Sequence, residues 1–120
     1  MARIVIADDS QFMRTLLKNI IEKAGHEVVG EASNGQEAVD LFKKLNPDLV
    51  ILDIVMPVMD GMEALKKIIE INPNAKVLMC TGLGQQKLVI QAIELGAKGY
   101  IVKPFQAEFV IKEIERILSG

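Results

Sequence analysis

The sequence predicts an α/β domain built on a central parallel sheet. Five short apolar runs alternate strictly with five longer amphipathic patterns, the rhythm of repeated strand–helix units. Several of the short runs are continuously apolar and rich in Val and Ile, as expected of strands covered on both faces. No low-complexity run, charge block or Pro/Gly/Ser linker interrupts the 120 residues, so one domain is expected over 1–120.

Ile4-Val5-Ile6-Ala7 reads as the first strand. The first helix follows, with Phe12, Met13, Leu16, Leu17, Ile20, Ile21 and Ala24 at helical spacing and Arg14, Lys18 and Glu22 on the opposite face. Gly25 stands just past its end, where glycine relieves the left-handed turn. Val28-Val29-Gly30-Glu31-Ala32 is more mixed, which suits a strand near an edge. Ala38, Leu41, Phe42 and Leu45 make a second helical stripe closed by Asn46-Pro47. Leu49-Val50-Ile51-Leu52 is the third strand, and Leu65, Ile68 and Ile69 mark a helix closed by Asn72-Pro73. Val77-Leu78-Met79-Cys80 is the fourth strand, followed by Val89, Ala92 and Ile93 in a helix ending at Gly96. Tyr100-Ile101-Val102 is the fifth, and Val110, Ile111, Ile114, Ile117 and Leu118 make the last helix.

Composition removes several function classes. Fourteen basic against sixteen acidic residues leave a net charge of −2, without the basic excess of a non-specific nucleic-acid or anionic-membrane binder. Aromatics at 4% argue against stacking platforms for single strands. One cysteine, Cys80, precludes an intrachain disulfide, and one histidine, His26, precludes a His-rich zinc site. The apolar run near the start, Ile4 to Ala7, is too short for a signal peptide or membrane span, so a cytoplasmic location is expected.

In a parallel sheet the ligand site lies beyond the carboxyl ends of the strands. Those ends carry Asp8-Asp9, Asp53, Thr81 and Lys103. Carboxylates crowded together repel unless a cation joins them, and an all-oxygen acidic cluster suits Mg²⁺. The lysine makes sense if an anion enters too, bridging metal and ammonium, as a phosphoryl group would. Singly, each residue has a plainer reading. Asp8-Asp9-Ser10 can serve as a helix cap, Asp53 as a turn residue, Thr81 as a β-branched strand residue and Lys103 as a surface charge. Their joint placement at one rim carries the functional reading. Met56, Met59 and Met62 near the third strand read as core fillers rather than soft-metal ligands, and Cys80 as a small buried residue.

The paired acids Asp8 and Asp9, the stretch Asp53-Ile54-Val55-Met56-Pro57-Val58-Met59-Asp60-Gly61, the strand-end Thr81 and Lys103-Pro104 together resemble the receiver domain of two-component response regulators. The likeness is to the stand-alone, CheY-like chemotaxis type and extends from Arg3 to the last helix. It implies a flavodoxin-like (βα)5 fold with strand order 2-1-3-4-5 and no output domain. It implies that Asp53 is the phosphoacceptor. Asp8, Asp9 and Asp53 would hold Mg²⁺ with the backbone carbonyl of Val55. Lys103 would neutralise phosphoryl oxygens and Thr81 would hydrogen-bond one of them. The Lys103–Pro104 peptide would be cis.

The resemblance also implies a two-state switch in which Thr81 moves toward the phosphoryl group and Tyr100 turns inward. Tyr100 equally suits an ordinary half-buried strand position. The implied phosphodonor is a chemotaxis (CheA-like) histidine kinase. The implied target, the flagellar motor switch or another protein, binds helix 4, strand 5 and helix 5. In Leu88-Val89-Ile90 and Ala92-Ile93, helix 4 is more apolar than a one-sided stripe requires, which fits a partner surface or deep packing alike. Val55 and Leu83 flank the expected path of an attacking water and cannot orient it, so slow self-dephosphorylation and a separate phosphatase are expected. A monomer is expected, without nucleic acid or membrane insertion. A single-domain phosphorelay intermediate is the alternative within the family.

Two rivals lie outside it. Gly82-Leu83-Gly84 imitates the start of a dinucleotide fingerprint, but Lys87 stands at its third glycine position and the first strand turn has no glycine. A haloacid-dehalogenase-type phosphatase would need an aspartate where Val55 stands.

Overall fold

The computed structural model describes residues 1–120. Five strands, β1 (Arg3–Ala7), β2 (Glu27–Ala32), β3 (Leu49–Asp53), β4 (Val77–Thr81) and β5 (Gly99–Val102), alternate with five helices. These are α1 (Gln11–Lys23), α2 (Gly35–Leu45), α3 (Gly61–Ile71), α4 (Gln86–Leu95) and α5 (Ala107–Ser119). All strand pairs are parallel and the order is β2-β1-β3-β4-β5, as the resemblance implied. The chain reverses its direction of winding after β2, so β1 and β3 are neighbours and the switch point lies above them.

Strand periodicity divides the core into two layers. Ile4, Ile6, Leu49, Ile51, Leu78, Cys80 and Ile101 point to one face, where Leu17, Ile21, Val110 and Ile114 of α1 and α5 cover them. Val5, Ala7, Val50, Leu52, Val77 and Met79 point to the other, against Phe42, Leu65, Ile68 and Ala92 of α2, α3 and α4. Each fully buried Ile or Leu contributes about 1.5–3 kcal/mol of transfer free energy, so these two layers dominate stability. β3 and β4 are buried at every residue, which explains their unbroken apolar runs. β2 is an edge strand, and its register to β1 slips between Ile4 and Val5, leaving Val29 as the extra residue. Met56 is buried, with Met59 and Met62 packed on the same layer, and Cys80 is buried. Met56 and Cys80 are core residues, and Met59 and Met62 pack half-buried at the margin of the core.

The first helix departs from its expected stripe. Phe12 and Leu16 are exposed, and burial in α1 begins at Leu17. Phe12 and Leu16 lie on the solvent side of α1, while Arg14 of the same first turn reaches Glu31 of β2. Arg14, expected on the solvent face, keeps only 16% of its side chain exposed, because it folds back onto the β1–α1 turn.

Candidate functional site

The four strand-end motifs converge at one rim. β1 delivers Asp8 and Asp9, β3 ends in Asp53, β4 ends in Thr81, and Lys103 follows β5. One carboxylate oxygen from each of Asp8, Asp9 and Asp53 lies within 4.8 Å of the others. Asp8 and Asp53 are buried and Asp9 is exposed, so the acidic cluster has a closed floor and an open mouth.

Asp8 is fixed from three directions. Its backbone N–H donates to Ala32 O at 3.0 Å, which ties the turn to the edge strand. Its Oδ1 accepts the Ser10 N–H at 2.9 Å, while Ser10 Oγ accepts the Met13 N–H and caps α1. Its Oδ2 accepts from Lys103 Nζ at 2.8 Å. Capping and site formation are therefore both true of Asp8-Asp9-Ser10, divided between residues: Ser10 caps and Asp8 builds the pocket. Arg14 adds a brace that periodicity missed, donating from Nη1 to Asp8 O at 2.6 Å and from Nε to Glu31 Oε1 at 3.2 Å. An arginine on an amphipathic helix carries no signal that distinguishes a solvated charge from such a brace.

Lys103 Nζ also donates to Asp53 Oδ2 at 3.1 Å, so one ammonium spans two of the three carboxylates. Burial pushes the Asp53 carboxyl above its usual range, with Lys103 opposing that shift and Asp8 adding to it. At Lys103 burial acts downward, but the bond to Asp8 and the charge of Asp53 outweigh it and hold the ammonium up. Burial likewise pushes the Cys80 thiol up to about 12, leaving it inert in the strand. One cation against three acids is an incomplete balance. The donor set is all oxygen, which fits Mg²⁺ with one or two carboxylates and waters. The Val55 carbonyl accepts no backbone hydrogen bond and so retains both lone pairs for a ligand.

The β3–α3 loop holds Asp53 by close backbone packing. Ile54 N–H donates to Cys80 O at 3.1 Å, and Gly61 N–H returns to Ile54 O at 2.7 Å. A Cβ on Gly61 would lie 2.1 Å from Asp53 O, so glycine here answers a steric demand. Gly35 meets Met59 O in the same way, and its N–H donates to that oxygen at 2.7 Å. Between Pro57 and Met59 the chain makes a three-residue turn closed by Met59 N–H to Pro57 O at 2.7 Å. Its central residue, Val58, takes φ 68 and is exposed. The Lys103–Pro104 peptide is cis, as expected.

Thr81 is buried beside the cluster, with its hydroxyl turned toward Gln85. Tyr100 is half-exposed and borders a groove of about 560 Å³ shared with Thr81, Leu83, Val89, Ile90 and Ile93. In α4 Ala92 is buried and Leu88 and Val89 pack half-buried against the core, while Ile90 and Ile93 are exposed and make a surface strip. Val55 and Leu83 are both exposed.

A family model described as the response regulator receiver domain matches residues 4–115. The chemotaxis protein CheY of Thermotoga maritima is 53% identical over 115 residues, covering 96% of either chain. CheY of Bacillus subtilis is 52% identical over 117 residues, covering 98% of either. Among solved structures, a CheX-CheY-BeF3-Mg+2 complex from Borrelia burgdorferi aligns with a TM-score of 0.92 at 38% identity, covering 96% of this chain and 87% of that one. The response regulator domain of Thermotoga maritima CheB aligns with a TM-score of 0.91 at 35% identity, covering 98% and 96%.

Proposed function

The chain belongs to the response regulator receiver domain family, with chemotaxis CheY proteins among its relatives, and from that premise we propose that it is a chemotaxis switch phosphorylated on Asp53. The observation that carries this reading is the single lysine spanning Asp8 and Asp53 beside a third carboxylate. That arrangement has an anion-neutralising group and a cation-binding group on either side of one nucleophile.

A carboxylate oxygen of Asp53 attacks the phosphorus of a phosphohistidine on the donor kinase. The new O–P bond forms as the P–N bond breaks, and the imidazole leaves with the electron pair and takes up a proton. Lys103 moves its ammonium from the carboxylates to the transferred phosphoryl oxygens, and Thr81 donates its hydroxyl to another. Asp8, Asp9, Asp53 and the Val55 carbonyl would hold Mg²⁺, which when bound would neutralise phosphoryl charge. As Lys103 leaves Oδ2, Asp8 stays in place through the Ser10 N–H on its Oδ1 and the Arg14 guanidinium on its backbone oxygen. Tyr100 follows Thr81 into the groove beside α4. The exposed residues Ile90, Ile93, Tyr100 and Phe109 then form the α4–β5–α5 surface for a protein target, with the flagellar motor switch as the proposed one.

The test is phosphorylation by a chemotaxis histidine kinase or a small phosphodonor with and without Mg²⁺, followed by site mapping. One acid-labile phosphoryl group on Asp53 is expected, absent in Asp53→Asn and absent with EDTA. Phosphorylation elsewhere, or at an undiminished rate without Mg²⁺, refutes the assignment.

A further inference from the structure

Thr81 leaves β4 with its hydroxyl directed along the β4–α4 turn. Oγ1 donates to Gln85 Oε1 at 2.6 Å, with Gly82 O a longer alternative at 3.2 Å. The same Gln85 oxygen accepts the Gly82 N–H at 2.7 Å. Gln85 is the N-cap residue of α4, yet its side chain caps no helical N–H. Ser10, Asn34 and Asp60 all do so for their own helices. The Gln85 carboxamide is committed across the turn and leaves the start of α4 without a side-chain cap.

A threonine hydroxyl carries one proton. It cannot donate at once to Gln85 Oε1 and to a phosphoryl oxygen on Asp53. We propose that Gln85 is a positioning residue that holds Thr81 out of the phosphoryl site, so that its carboxamide oxygen couples occupancy of that site to the N-terminus of α4. The inference rests on the receiver reading and deepens it. When Thr81 turns to the phosphoryl group, Gln85 keeps only the Gly82 N–H and its side chain becomes free to turn toward the uncapped helix. The turn has room to follow: Leu83 is exposed, and nothing lies within 4 Å of where a Cβ on Gly84 would stand.

The probe is beryllofluoride with Mg²⁺ titrated into the full chain, read by amide NMR shifts at Thr81, Gly82 and the first turn of α4. Gln85→Ala removes a bond made only in the resting state, so beryllofluoride should bind about three- to tenfold more tightly. Affinity for Mg²⁺ alone should stay unchanged, because Gln85 touches none of the carboxylates. In a Thr81→Val background the same substitution should have no effect, since the hydroxyl it restrains is gone. Wild-type affinity in Gln85→Ala, or an equal gain in the Thr81→Val background, overturns the restraint and leaves the receiver reading intact. Failure of the wild-type chain to bind beryllofluoride with Mg²⁺ overturns that underlying reading, and this inference with it.

Discussion

Replacing Gly61 with alanine should damage the site through the backbone of Asp53, the proposed phosphoacceptor. Gly61 is the first residue of α3 and its φ is not positive, so alanine suits the backbone conformation there. The obstacle is steric. A Cβ would stand 2.1 Å from Asp53 O and 2.9 Å from both Asp53 C and Ile54 Cα, where real Cβ contacts stay beyond 3.0 Å. At least 0.9 Å of movement is required, and all three neighbours are backbone atoms, so no side chain can swing aside. Overpacking of this kind costs about 1–3 kcal/mol. Losing the Gly61 N–H bond to Ile54 O adds about 0.5–1.5 kcal/mol. A total near 2–4 kcal/mol is expected from urea melts. Gly25→Ala is the control: it has φ 89 but open space, so only the left-handed penalty of roughly 1 kcal/mol applies. A shift approaching 1 Å at Asp53 should also lower Mg²⁺ affinity at least tenfold by titration calorimetry, because Mg²⁺ demands near-ideal geometry. Gly61→Ala with wild-type Mg²⁺ affinity and a loss no larger than that of Gly25→Ala would refute the reasoning.

Three further outcomes are expected. Val58→Gly should stabilise the fold by about 1 kcal/mol, raising the melting temperature by roughly 4 °C, because valine is strained at φ 68 in this three-residue turn and glycine, lacking a Cβ, is not; an unchanged or lower melting temperature contradicts the strain. Asp53→Asn should melt higher than the wild type at pH 7 without divalent cations. Burial raises the folded carboxyl above its ordinary 3.8, so between that value and the raised one the folded state holds more protons and stability falls as pH rises. The gap between the two proteins should close toward pH 4 in thermal melts. Val55→Asn should hasten loss of the phosphoryl group from Asp53 several-fold by giving the attacking water a hydrogen-bond partner, followed by decay of the labelled phosphoprotein; an equal or slower rate contradicts that role.

Strand and helix order was legible because burial on both faces of a parallel sheet demands unbroken apolar runs, and β3 and β4 have them. The acidic rim was legible because topology sends every strand end of a parallel sheet to the same side. Phe12 misled because its spacing matches a buried stripe, while burial also depends on which side of the helix is turned to the sheet, and that turn presents Arg14 to β2. Arg14 and Gln85 were silent for a related reason: their partners, Asp8 O and the Thr81 hydroxyl, are set by how turns fold back.

By itself, then, the sequence determined the α/β class, the five units and the residue types that reach the rim, since local periodicity and turn chemistry are written along the chain. Only the tertiary structure decided that Lys103 spans Asp8 and Asp53, that α4 shows its apolar strip to solvent, and that Gly61 must lack a side chain. Those facts depend on how separate strands, helices and loops come together, from eight residues apart at Gly61 to 95 at Lys103 and Asp8, and close packing, which no local pattern encodes, sets such distances to fractions of an ångström.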